Sequence, residues 1–356
     1  MKVVFLTRRY WPAVGGVERH VQFLSQALLQ QLPSIELQVI TEQHDPSLPE
    51  KEIHQGVEIL RLPLRPDTAN PDIKKSVWGW MRQHKMLLQN VDIIHVHDVF
   101  FWLQPFLLSL HKPRIYTTFH GYEPPGPPTW KQRLMHQLAE LQSERNICIG
   151  SFHQKWYGVE PTVRNYGAVD EVFAATPAPS QTKAAPARST PEKYLFIGRL
   201  EEDTGIWAYL EAMSALKERN KLNFRLDIAG EGPLKIQLER FVKQTDLPVS
   251  FLGVQQATPQ LYRNYDAACV SGYLSMLEAL ASGVPVVATY MTLLKRDYLL
   301  LSPFTDLVSV AAPGAALEAA LQAPDGLRPE AQAWAQRQTW AQLAAEYLKL
   351  WQVGKP

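Results

Sequence analysis

Cysteine and net charge are both scarce in this chain, and each shortage excludes a class of function. Of the 356 residues only Cys148 and Cys269 are cysteines, each inside a short apolar run. Two cysteines are too few for a cysteine-based zinc module, and they favour reduced core thiols in a cytoplasmic protein. The 36 lysines and arginines nearly balance the 35 acidic residues, so we expect no nucleic-acid partner held by overall charge.

Long apolar runs are also missing. Uncharged stretches such as residues 279–294 fall short of the ~20 residues of a membrane-spanning helix, and Gly283 and Pro285 interrupt this one. Arg8 and Arg9 closely follow the apolar residues 3–6, which does not fit a signal peptide. We therefore expect a cytoplasmic protein without a spanning segment.

The chain instead contains strands and helices in alternation, in two halves. Short β-branched runs and apolar residues at helical spacing indicate a parallel, doubly wound α/β sheet in each half. The predicted strands are residues 2–6, 35–41, 57–62, 91–97, 114–120, 194–198, 224–229, 249–252, 267–270 and 284–288. The predicted helices are residues 17–32, 72–89, 130–143, 205–219, 233–244, 274–282, 315–322, 330–336 and 340–352.

A proline-rich stretch separates the two halves. Residues 172–191 contain four prolines among Ala, Ser and Thr and show no strand or helix period, which is typical of a linker. The predicted domains are therefore residues 1–171 and 192–337, with residues 338–356 as a final helical segment.

The loops after the strands are the candidate sites, because ligands of doubly wound sheets bind at the carboxyl ends of the strands. Gly15 and Gly16 precede the first helix, where free backbone N–H groups can meet an anion. The pattern is not Gly-x-Gly-x-x-Gly, so dinucleotide binding is not supported. The alternative is a tight turn that needs positive φ.

The second and third candidates lie in the second half. Arg199 follows a strand and can clamp a diphosphate, although a surface ion pair is the alternative. Ser271 and Gly272 open a helix whose first N–H groups can receive phosphate oxygens. Glu278, one turn further on among apolar residues, suits vicinal sugar hydroxyls, and the alternative is a solvent-facing glutamate.

Taken together, these stretches resemble the GT-B-fold, family 4 glycosyltransferases, which are retaining and use nucleotide sugars. The resemblance runs in order along nearly the whole chain, and the combination of motifs is specific where each one alone is weak. The motifs are the Gly-Gly loop, His-Val-His-Asp (95–98), Thr-Phe-His-Gly (118–121), Arg-Asn-Tyr-Gly-Ala-Val-Asp (164–170), Ile-Gly-Arg-Leu (197–200), Ala-Gly-Glu-Gly-Pro (229–233), Phe-Leu-Gly (251–253) and Leu-Glu-Ala-Leu-Ala-Ser-Gly-Val-Pro-Val-Val-Ala (277–288).

The resemblance implies two Rossmann-like domains that face a cleft, with the last helix crossing back to the first domain. It implies that the donor is bound mainly by the second domain, through Arg199 at the diphosphate and Glu278 at the ribose hydroxyls. The remaining implied donor contacts are the amides of Ser271, Gly272, Tyr273 and Leu274 at the diphosphate and Gly253 and Val254 at the base.

In the first domain, the resemblance implies that Gly15 and Gly16 face the donor phosphate and sugar. His120 matches the histidine that reaches the transferring sugar and is the catalytic candidate.

Two positions depart from the family pattern. Thr204 stands where the family usually has Lys, and Val270 stands where it usually has Glu. The first change removes a phosphate cation, and the second removes a carboxylate that contacts the sugar ring. Lys295 or Arg296 is a candidate for the missing charge, but the sequence cannot place either.

A metal is not expected. His95 and His97 lie on one side of a strand before Asp98, which permits a metal site, but hydrogen-bonded imidazoles are the favoured interpretation. No Asp-x-Asp motif occurs, so a metal-bridged diphosphate is not supported, and no cofactor is predicted.

The helix at residues 74–89 permits peripheral membrane contact. Its charged residues are basic, and it contains two tryptophans, a composition found in interfacial helices. The favoured alternative is a helix packed on the core with a solvated basic face. The residues in question are Lys74, Lys75, Trp78, Trp80, Arg82, Lys85 and, at its end, Gln89.

The predicted function is transfer of a sugar from a nucleotide diphosphate sugar to a hydroxyl of a glycan or lipid-linked acceptor, with retention. Two alternatives remain open. One is a nucleotide-sugar-binding protein without catalysis, and the other is a GT-B-fold epimerase that would use Glu123 or His120 as acid or base.

Overall fold

A computed structural model describes residues 1–63, 73–106, 113–121, 126–177, 192–219, 223–324 and 329–352. Contacts divide the chain into two units. The first spans Met1–Glu123, Pro128–Asn165 and Trp340–Pro356, and the second spans Pro124–Pro127 and Tyr166–Thr339.

The strands and helices alternate along most of the chain, as the sequence predicts. The strands are β1 (Lys2–Thr7), β2 (Glu36–Glu42), β3 (Lys51–His54), β4 (Val57–Leu62), β5 (Ile93–His97), β6 (Arg114–Phe119), β7 (Arg145–Ile149), β8 (Val163–Asn165), β9 (Glu192–Ile197), β10 (Phe224–Ala229), β11 (Val249–Gly253), β12 (Ala267–Cys269), β13 (Val286–Thr289) and β14 (Ser309–Ala311). The helices are α1 (Gly16–Gln31), α2 (Ile73–Gln83), α3 (Met86–Gln89), α4 (Trp130–Gln142), α5 (Phe152–Tyr157), α6 (Glu171–Ala174), α7 (Ile206–Glu218), α8 (Lys235–Thr245), α9 (Pro259–Arg263), α10 (Tyr273–Ala281), α11 (Leu293–Leu300), α12 (Ala315–Gln322), α13 (Pro329–Arg337) and α14 (Trp340–Gln352).

The first unit contains an eight-stranded sheet in the order β3-β4-β2-β1-β5-β6-β7-β8. Every pair is parallel except the edge hairpin of β3 and β4. β1 is buried from its second residue onward, as expected for a central parallel strand covered on both faces.

The second unit contains a six-stranded parallel sheet in the order β11-β10-β9-β12-β13-β14. The chain moves outward from β9 to β11 and then returns to the other side of β9 with β12. The order therefore reverses between β9 and β12, which is the position where doubly wound sheets bind ligands. Both cysteines are free and buried, one in each sheet, as the sequence predicts.

Four strands were not predicted, and three of them are short or polar. β3 is an exposed edge strand of sequence Lys-Glu-Ile-His, and β8 and β14 have three residues each. β7 is the fourth. The helix predicted at residues 72–89 is two helices, α2 and α3, with a break at His84 and Lys85.

The second unit begins earlier than the predicted boundary after residue 171. Gly167 lies against Leu274, where an added Cβ would come within 2.7 Å of Leu274 Cδ2. The Gln336 amide donates to the Phe173 and Thr176 carbonyls at the end of α6. Residues 166–177 are therefore folded into the second unit, and the rest of the predicted linker, residues 178–191, lies outside the described residues.

The last helix, α14, belongs to the first unit, where it packs against α1. The Gln31 side chain donates to the Ala341 carbonyl, and the Trp351 indole donates to His95 Nδ1 at 3.1 Å. Among the described residues, no helix is both long and apolar enough to cross a membrane.

Truncation of Trp351 tests how strongly α14 holds the first unit. Its indole is buried and hydrogen-bonded, so we expect Trp351→Ala to lower the free energy of unfolding by about 3–5 kcal/mol. Trp130→Ala is the matched control, because Trp130 is exposed and its truncation should cost less than about 0.5 kcal/mol. Guanidinium unfolding followed by circular dichroism measures both, and equal losses would contradict the assignment.

Candidate functional site

The carboxyl ends of β9, β10 and β12 form one edge of the second sheet, and two glycines allow its loops to pack closely. A Cβ on Gly230 would lie 1.9 Å from the Gly198 carbonyl oxygen, and one on Gly232 would lie 2.6 Å from the Leu200 carbonyl oxygen. These close contacts explain why the Ala-Gly-Glu-Gly-Pro motif has glycine at both positions, which the sequence alone did not reveal. They also fix the loop that carries Arg199.

Arg199 follows β9 at the point where the strand order reverses. Its guanidinium contacts Glu201 at 2.5 Å and Asp203 at 3.3 Å, and its side chain is more than half exposed. Arg199 therefore does form the surface ion pair that was the alternative to a diphosphate clamp. Because these carboxylates are exposed partners, a diphosphate can compete with them for the guanidinium.

The N-terminus of α10 follows β12 on the other side of the reversal. Gly272 is the exposed N-cap residue, and Ser271 is buried with its Oγ accepting from the Thr289 N–H at 3.1 Å. The Tyr273 N–H, expected in the diphosphate cradle, donates instead to the Tyr298 hydroxyl at 2.9 Å. Leu274 is half-buried beside Gly167.

Glu278 is buried, at 3 % exposure, so the alternative of a solvent-facing glutamate is wrong. The Tyr262 hydroxyl from α9 donates to its carboxylate at 3.1 Å. A buried carboxylate that is held by a neutral hydroxyl keeps acceptor capacity for further hydroxyl groups.

Gly253 and Val254 lie at the same edge, where β11 ends. Gly253 has φ +67° and its carbonyl accepts from the Gly230 N–H at 2.8 Å. Val254 is mostly exposed. The turn therefore presents an apolar side chain beside the glycine-rich loop.

Lys295, which the sequence could not place, lies close to Arg199 and Asp203. It is in the first turn of α11, with its N–H donating to the N-cap Thr292 hydroxyl, and its side chain is buried. Its Nζ stands 4.1 Å from the ring centroid of Tyr298. Burial lowers the pKa of Lys295 to about 8, with Asp203 raising it and Arg199 lowering it further. Arg296, the other candidate, is exposed.

The two departures from the family pattern supply no replacement charge themselves. The Thr204 hydroxyl donates to the Glu201 carbonyl at 2.6 Å, and Val270 is fully buried. Gly205 has φ +78°, and a Cβ there would meet Thr289 Cγ2 at 2.7 Å.

In the first unit, Gly15 and Gly16 stand at the start of α1. Gly15 is extended with φ −173°, and neither glycine has a positive φ, so the tight-turn alternative is wrong. A Cβ on Gly16 would have no neighbour within 4 Å. A ligand can therefore approach Gly16 closely, whereas a Cβ on Gly15 would lie 2.2 Å from the Glu18 carboxylate, which occupies the space beside that residue.

A buried arginine that the sequence analysis missed anchors this loop. The Arg61 guanidinium donates to the Trp11 carbonyl at 2.8 Å and to the Pro49 carbonyl at 2.9 Å, and it pairs with Glu52. The only available signal was a charged residue within a strand of otherwise buried apolar residues. Arg61 therefore holds Trp11 in place and so helps to position the loop that leads to Gly15 and Gly16.

His120 follows β6 and is buried. The backbone N–H of His120 donates to Asp98 Oδ1 at 2.9 Å, and the ring Nε2 of His120 lies 2.8 Å from His97 Nδ1. Burial lowers the pKa of both imidazoles well below the usual value. His120 is therefore a neutral group that can donate or accept one hydrogen bond at each ring nitrogen.

Two further histidines continue this buried network towards α14. His95 Nε2 forms a hydrogen bond of 2.7 Å with the Thr118 hydroxyl, and this hydroxyl forms a second hydrogen bond of 2.7 Å with the Tyr347 hydroxyl. His20 Nε2 bonds the same Tyr347 hydroxyl at 3.2 Å. Both nitrogens of His95 thus have protein partners, which favours the hydrogen-bonded interpretation for His95, whereas His97 has a partner at Nδ1 and its buried Nε2 has none within the described part of the chain. The described residues contain no group of three or more potential metal ligands.

The apolar side of the segment at residues 74–89 packs into the first unit. Val77, Met81 and Leu88 are buried, and the Trp78 indole donates to the Phe101 carbonyl at 2.9 Å. Trp80 packs against the same core. The exposed side consists largely of the basic residues Lys74, Lys75, Arg82 and Lys85.

Comparison with known proteins now decides the family. The family model described as "Glycosyltransferase Family 4" matches residues 14–157, and that described as "Glycosyl transferases group 1" matches residues 191–303. The chain belongs to glycosyltransferase family 4. The two matches cover most strands of the first and second units, without β1, β8 and β14, and the motif at residues 164–170 lies between them.

This family 4 chain has curated relatives and solved structural neighbours. It is 29% identical over 256 residues to the GDP-mannose:cellobiosyl-diphosphopolyprenol alpha-mannosyltransferase of Xanthomonas campestris, covering 65% of this chain and 60% of that enzyme. It is 36% identical over 111 residues, 28% of each chain, to a GDP-mannose-dependent alpha-(1-6)-phosphatidylinositol dimannoside mannosyltransferase of Mycobacterium tuberculosis. Sucrose-phosphate synthase from Thermosynechococcus elongatus has the same fold, with a TM-score of 0.74 at 16% identity over 98% of both chains.

The buried histidines of the first unit predict acid sensitivity. Burial lowers the pKa of His20 and of His95 to about 3, whereas an unfolded imidazole binds a proton near pH 6.5. The unfolded state therefore gains protons first, and stability falls as pH drops from 6.5 towards 3. Each histidine should contribute about 1.4 kcal/mol per pH unit in that window.

His20→Gln should reduce this slope by one histidine's share. His84→Gln, at an exposed position, is the control and should leave most of the slope in place. Urea unfolding at several pH values within the window measures both variants. A wild-type slope that His20→Gln does not change would contradict a neutral, buried His20.

Proposed function

We propose that this chain transfers a sugar from a nucleotide diphosphate sugar to an acceptor hydroxyl, with retention of the anomeric configuration, in glycan or glycolipid biosynthesis. The observation that carries the proposal is the edge of the second sheet where strand order reverses. There Arg199 and the N-terminus of α10 follow adjacent strands, and α10 also carries the buried Glu278.

The diphosphate is assigned to this edge because positive groups concentrate there. Arg199 offers an exposed guanidinium, and the exposed Gly272 begins a helix with a positive dipole end. Lys295 adds an ammonium near Arg199 although burial disfavours its charge. A bound diphosphate would stabilise that charge, so we assign to Lys295 the cation that Thr204 does not supply.

The nucleoside is assigned to the neighbouring groups. The Glu278 carboxylate, oriented by Tyr262, would accept hydrogen bonds from the two ribose hydroxyls. Gly253 and Val254 would lie against the base, where the exposed valine gives an apolar contact. Because Val270 stands where the family usually has a glutamate, the sugar ring would have one contact fewer than in the family pattern.

The proposed reaction breaks the bond between the anomeric carbon and the departing diphosphate oxygen. A new bond to the acceptor oxygen forms on the same face, and the acceptor proton passes to the departing diphosphate. Arg199, Lys295 and the α10 N-terminus would stabilise the negative charge on the leaving group. In the first unit, Gly15 and Gly16 are assigned to the donor phosphate and sugar, and the neutral His120 to the transferring sugar.

The relatives suggest the substrates to test first. The Xanthomonas enzyme is named for GDP-mannose and a cellobiosyl-diphosphopolyprenol acceptor, so we propose GDP-mannose as the donor and a lipid-linked glycan as the acceptor. We also propose that no metal is required, because protein cations would balance the diphosphate. Membrane contact through the basic face at residues 74–89 would bring the protein to such an acceptor.

A second candidate, a nucleotide-sugar-binding protein without catalysis, is favoured by one observation. Thr204 and Val270 both lack the charged groups of the family pattern, and Val270 is buried. The epimerase alternative has less support, because His120 is neutral and already hydrogen-bonded to His97; Glu123, its other candidate, lies outside the described residues.

The two candidates predict different outcomes when the full chain is incubated with a panel of nucleotide sugars. The transferase should release nucleoside diphosphate and a free or transferred sugar, with and without EDTA. Glu278→Gln should lower turnover, because it removes an acceptor for the ribose hydroxyls. Binding without turnover would favour the second candidate, and an isomerised donor would favour the epimerase.

Lys295→Met tests the proposed diphosphate cation directly. The variant should raise the dissociation constant of the nucleoside diphosphate about tenfold or more, because a charged hydrogen bond is lost, while the nucleoside alone should bind as before. The substitution also removes the contact between Lys295 and the Tyr298 ring, so circular dichroism should first show that the variant is folded. Arg296→Met, which removes the neighbouring exposed cation, is the control in calorimetry. Equal effects of both variants, or an equal loss for both ligands, would refute the assignment.

A further inference from the structure

The helix α4 in the first unit has an apolar stripe on its outer face. Four large apolar side chains, spaced three or four residues apart, share one face of the helix. The exposed fractions are 70% for Trp130, 45% for Leu134, 38% for Leu138 and 81% for Leu141. Other exposed apolar residues in the described chain, such as Ile236 on α8, do not form such a row.

The inward face of α4 is already committed to the core. His136 stacks on Tyr157 with ring centroids 4.0 Å apart, and Ala139 is buried. A capping box between Thr129 and Gln132 fixes the first turn. The orientation of the helix is therefore set by its inner contacts, and the apolar stripe cannot turn inward.

The charges beside the stripe are basic. Lys131 and Arg133 are exposed, and by helical spacing they flank the apolar row on its two sides. The acidic residue of this helix, Glu140, lies two turns from Arg133 on the same side of the helix, and its carboxylate accepts a hydrogen bond from the Glu160 N–H at 2.7 Å. An apolar row with a tryptophan and flanking cations fits the interface of a lipid bilayer, where the acyl chains are apolar and the headgroups can be anionic.

A second basic surface lies nearby in the same unit. The 3₁₀ helix Phe100–Phe106 packs against both α2 and α4, and the Gln104 amide contacts Met135 of α4 at 3.4 Å. The exposed lysines and arginine of α2 are thus on a neighbouring element. Together the two helices have the features of an interfacial surface, since α2 provides basic side chains and α4 provides apolar ones.

We propose that α4 is a membrane-docking helix that inserts Trp130, Leu134, Leu138 and Leu141 into the interface of an anionic bilayer. Lys131 and Arg133 contact the lipid headgroups at its edges. The sequence permitted a membrane contact at residues 74–89, although a core-packed helix was the favoured interpretation, and its tryptophans do pack inward. The helix α4 supplies the apolar part that such a contact needs. This surface stands independently of the chemistry proposed for the second unit.

Vesicle binding of the full chain tests the proposal. The wild type should sediment with mixed phosphatidylglycerol–phosphatidylcholine vesicles, and the double variant Leu134→Gln, Leu141→Gln should bind about tenfold or more weakly, since each buried leucine contributes a large transfer free energy. Ile236→Gln, at an equally exposed position of the second unit, is the matched control and should bind like the wild type.

Brominated lipids identify the inserted residue. They should quench part of the tryptophan fluorescence of the wild type, and Trp130→Phe should lose that part. Lys131→Ser with Arg133→Ser should weaken binding to anionic vesicles and reduce its salt dependence. Donor hydrolysis in solution should be unchanged in the leucine double variant, so a failure here is distinct from a failure of the proposed transferase activity.

Three outcomes would overturn the proposal. The first is no vesicle binding by the wild type. The second is a leucine double variant that binds as well as Ile236→Gln. The third is a wild-type dimer that becomes a monomer in the leucine double variant, with vesicles having no effect, which would assign the stripe to a second copy of the chain.

Discussion

Parallel pairing of β9 with strands on both sides is the constraint on which the candidate donor site depends. Because β10 and β12 run in the same direction as β9, all three strands deliver their following loops to one edge. Arg199 and the start of α10 come from sequence positions more than 70 residues apart, and the strand reversal makes them neighbours. Gly230 and Gly232 then allow the loops to approach as closely as backbone contact permits.

The two kinds of buried polar group in this chain have different physical roles. His20, His95, His97 and His120 are neutral and exchange hydrogen bonds with one another or with hydroxyls, so they specify how α14 and β6 fit together at little electrostatic cost. Lys295 is different, because burial disfavours its charge, with Asp203 partly offsetting this effect and Arg199 adding to it. A group held in that way gains most from an anionic ligand, which is why it belongs to the proposed diphosphate site.

The first unit combines a rigid interior with two unlike surfaces. Arg61 ties the Gly15–Gly16 loop to neighbouring carbonyls, and the histidine network ties β5 and β6 to α14. Outside, α2 exposes basic residues while α4 exposes apolar ones. The membrane contact proposed for this unit would use both, since electrostatic attraction would bring the protein to the bilayer and apolar insertion would keep it there.

The sequence by itself determined the alternation of strands and helices, the two sheets, the loops that carry Gly15, Arg199 and Ser271, and the helix that carries Glu278, because these depend on local periodicity and on glycine positions. It did not reveal short strands such as β8, whose three residues form a strand only beside β7. It also could not place Lys295 or decide between the outer faces of α2 and α4. Both α2 and α4 have apolar and basic residues, and only packing against the 3₁₀ helix and α5 decides which side is buried. The tertiary structure therefore decided which charges meet and which apolar residues remain outside, because burial depends on neighbours that are distant in the chain.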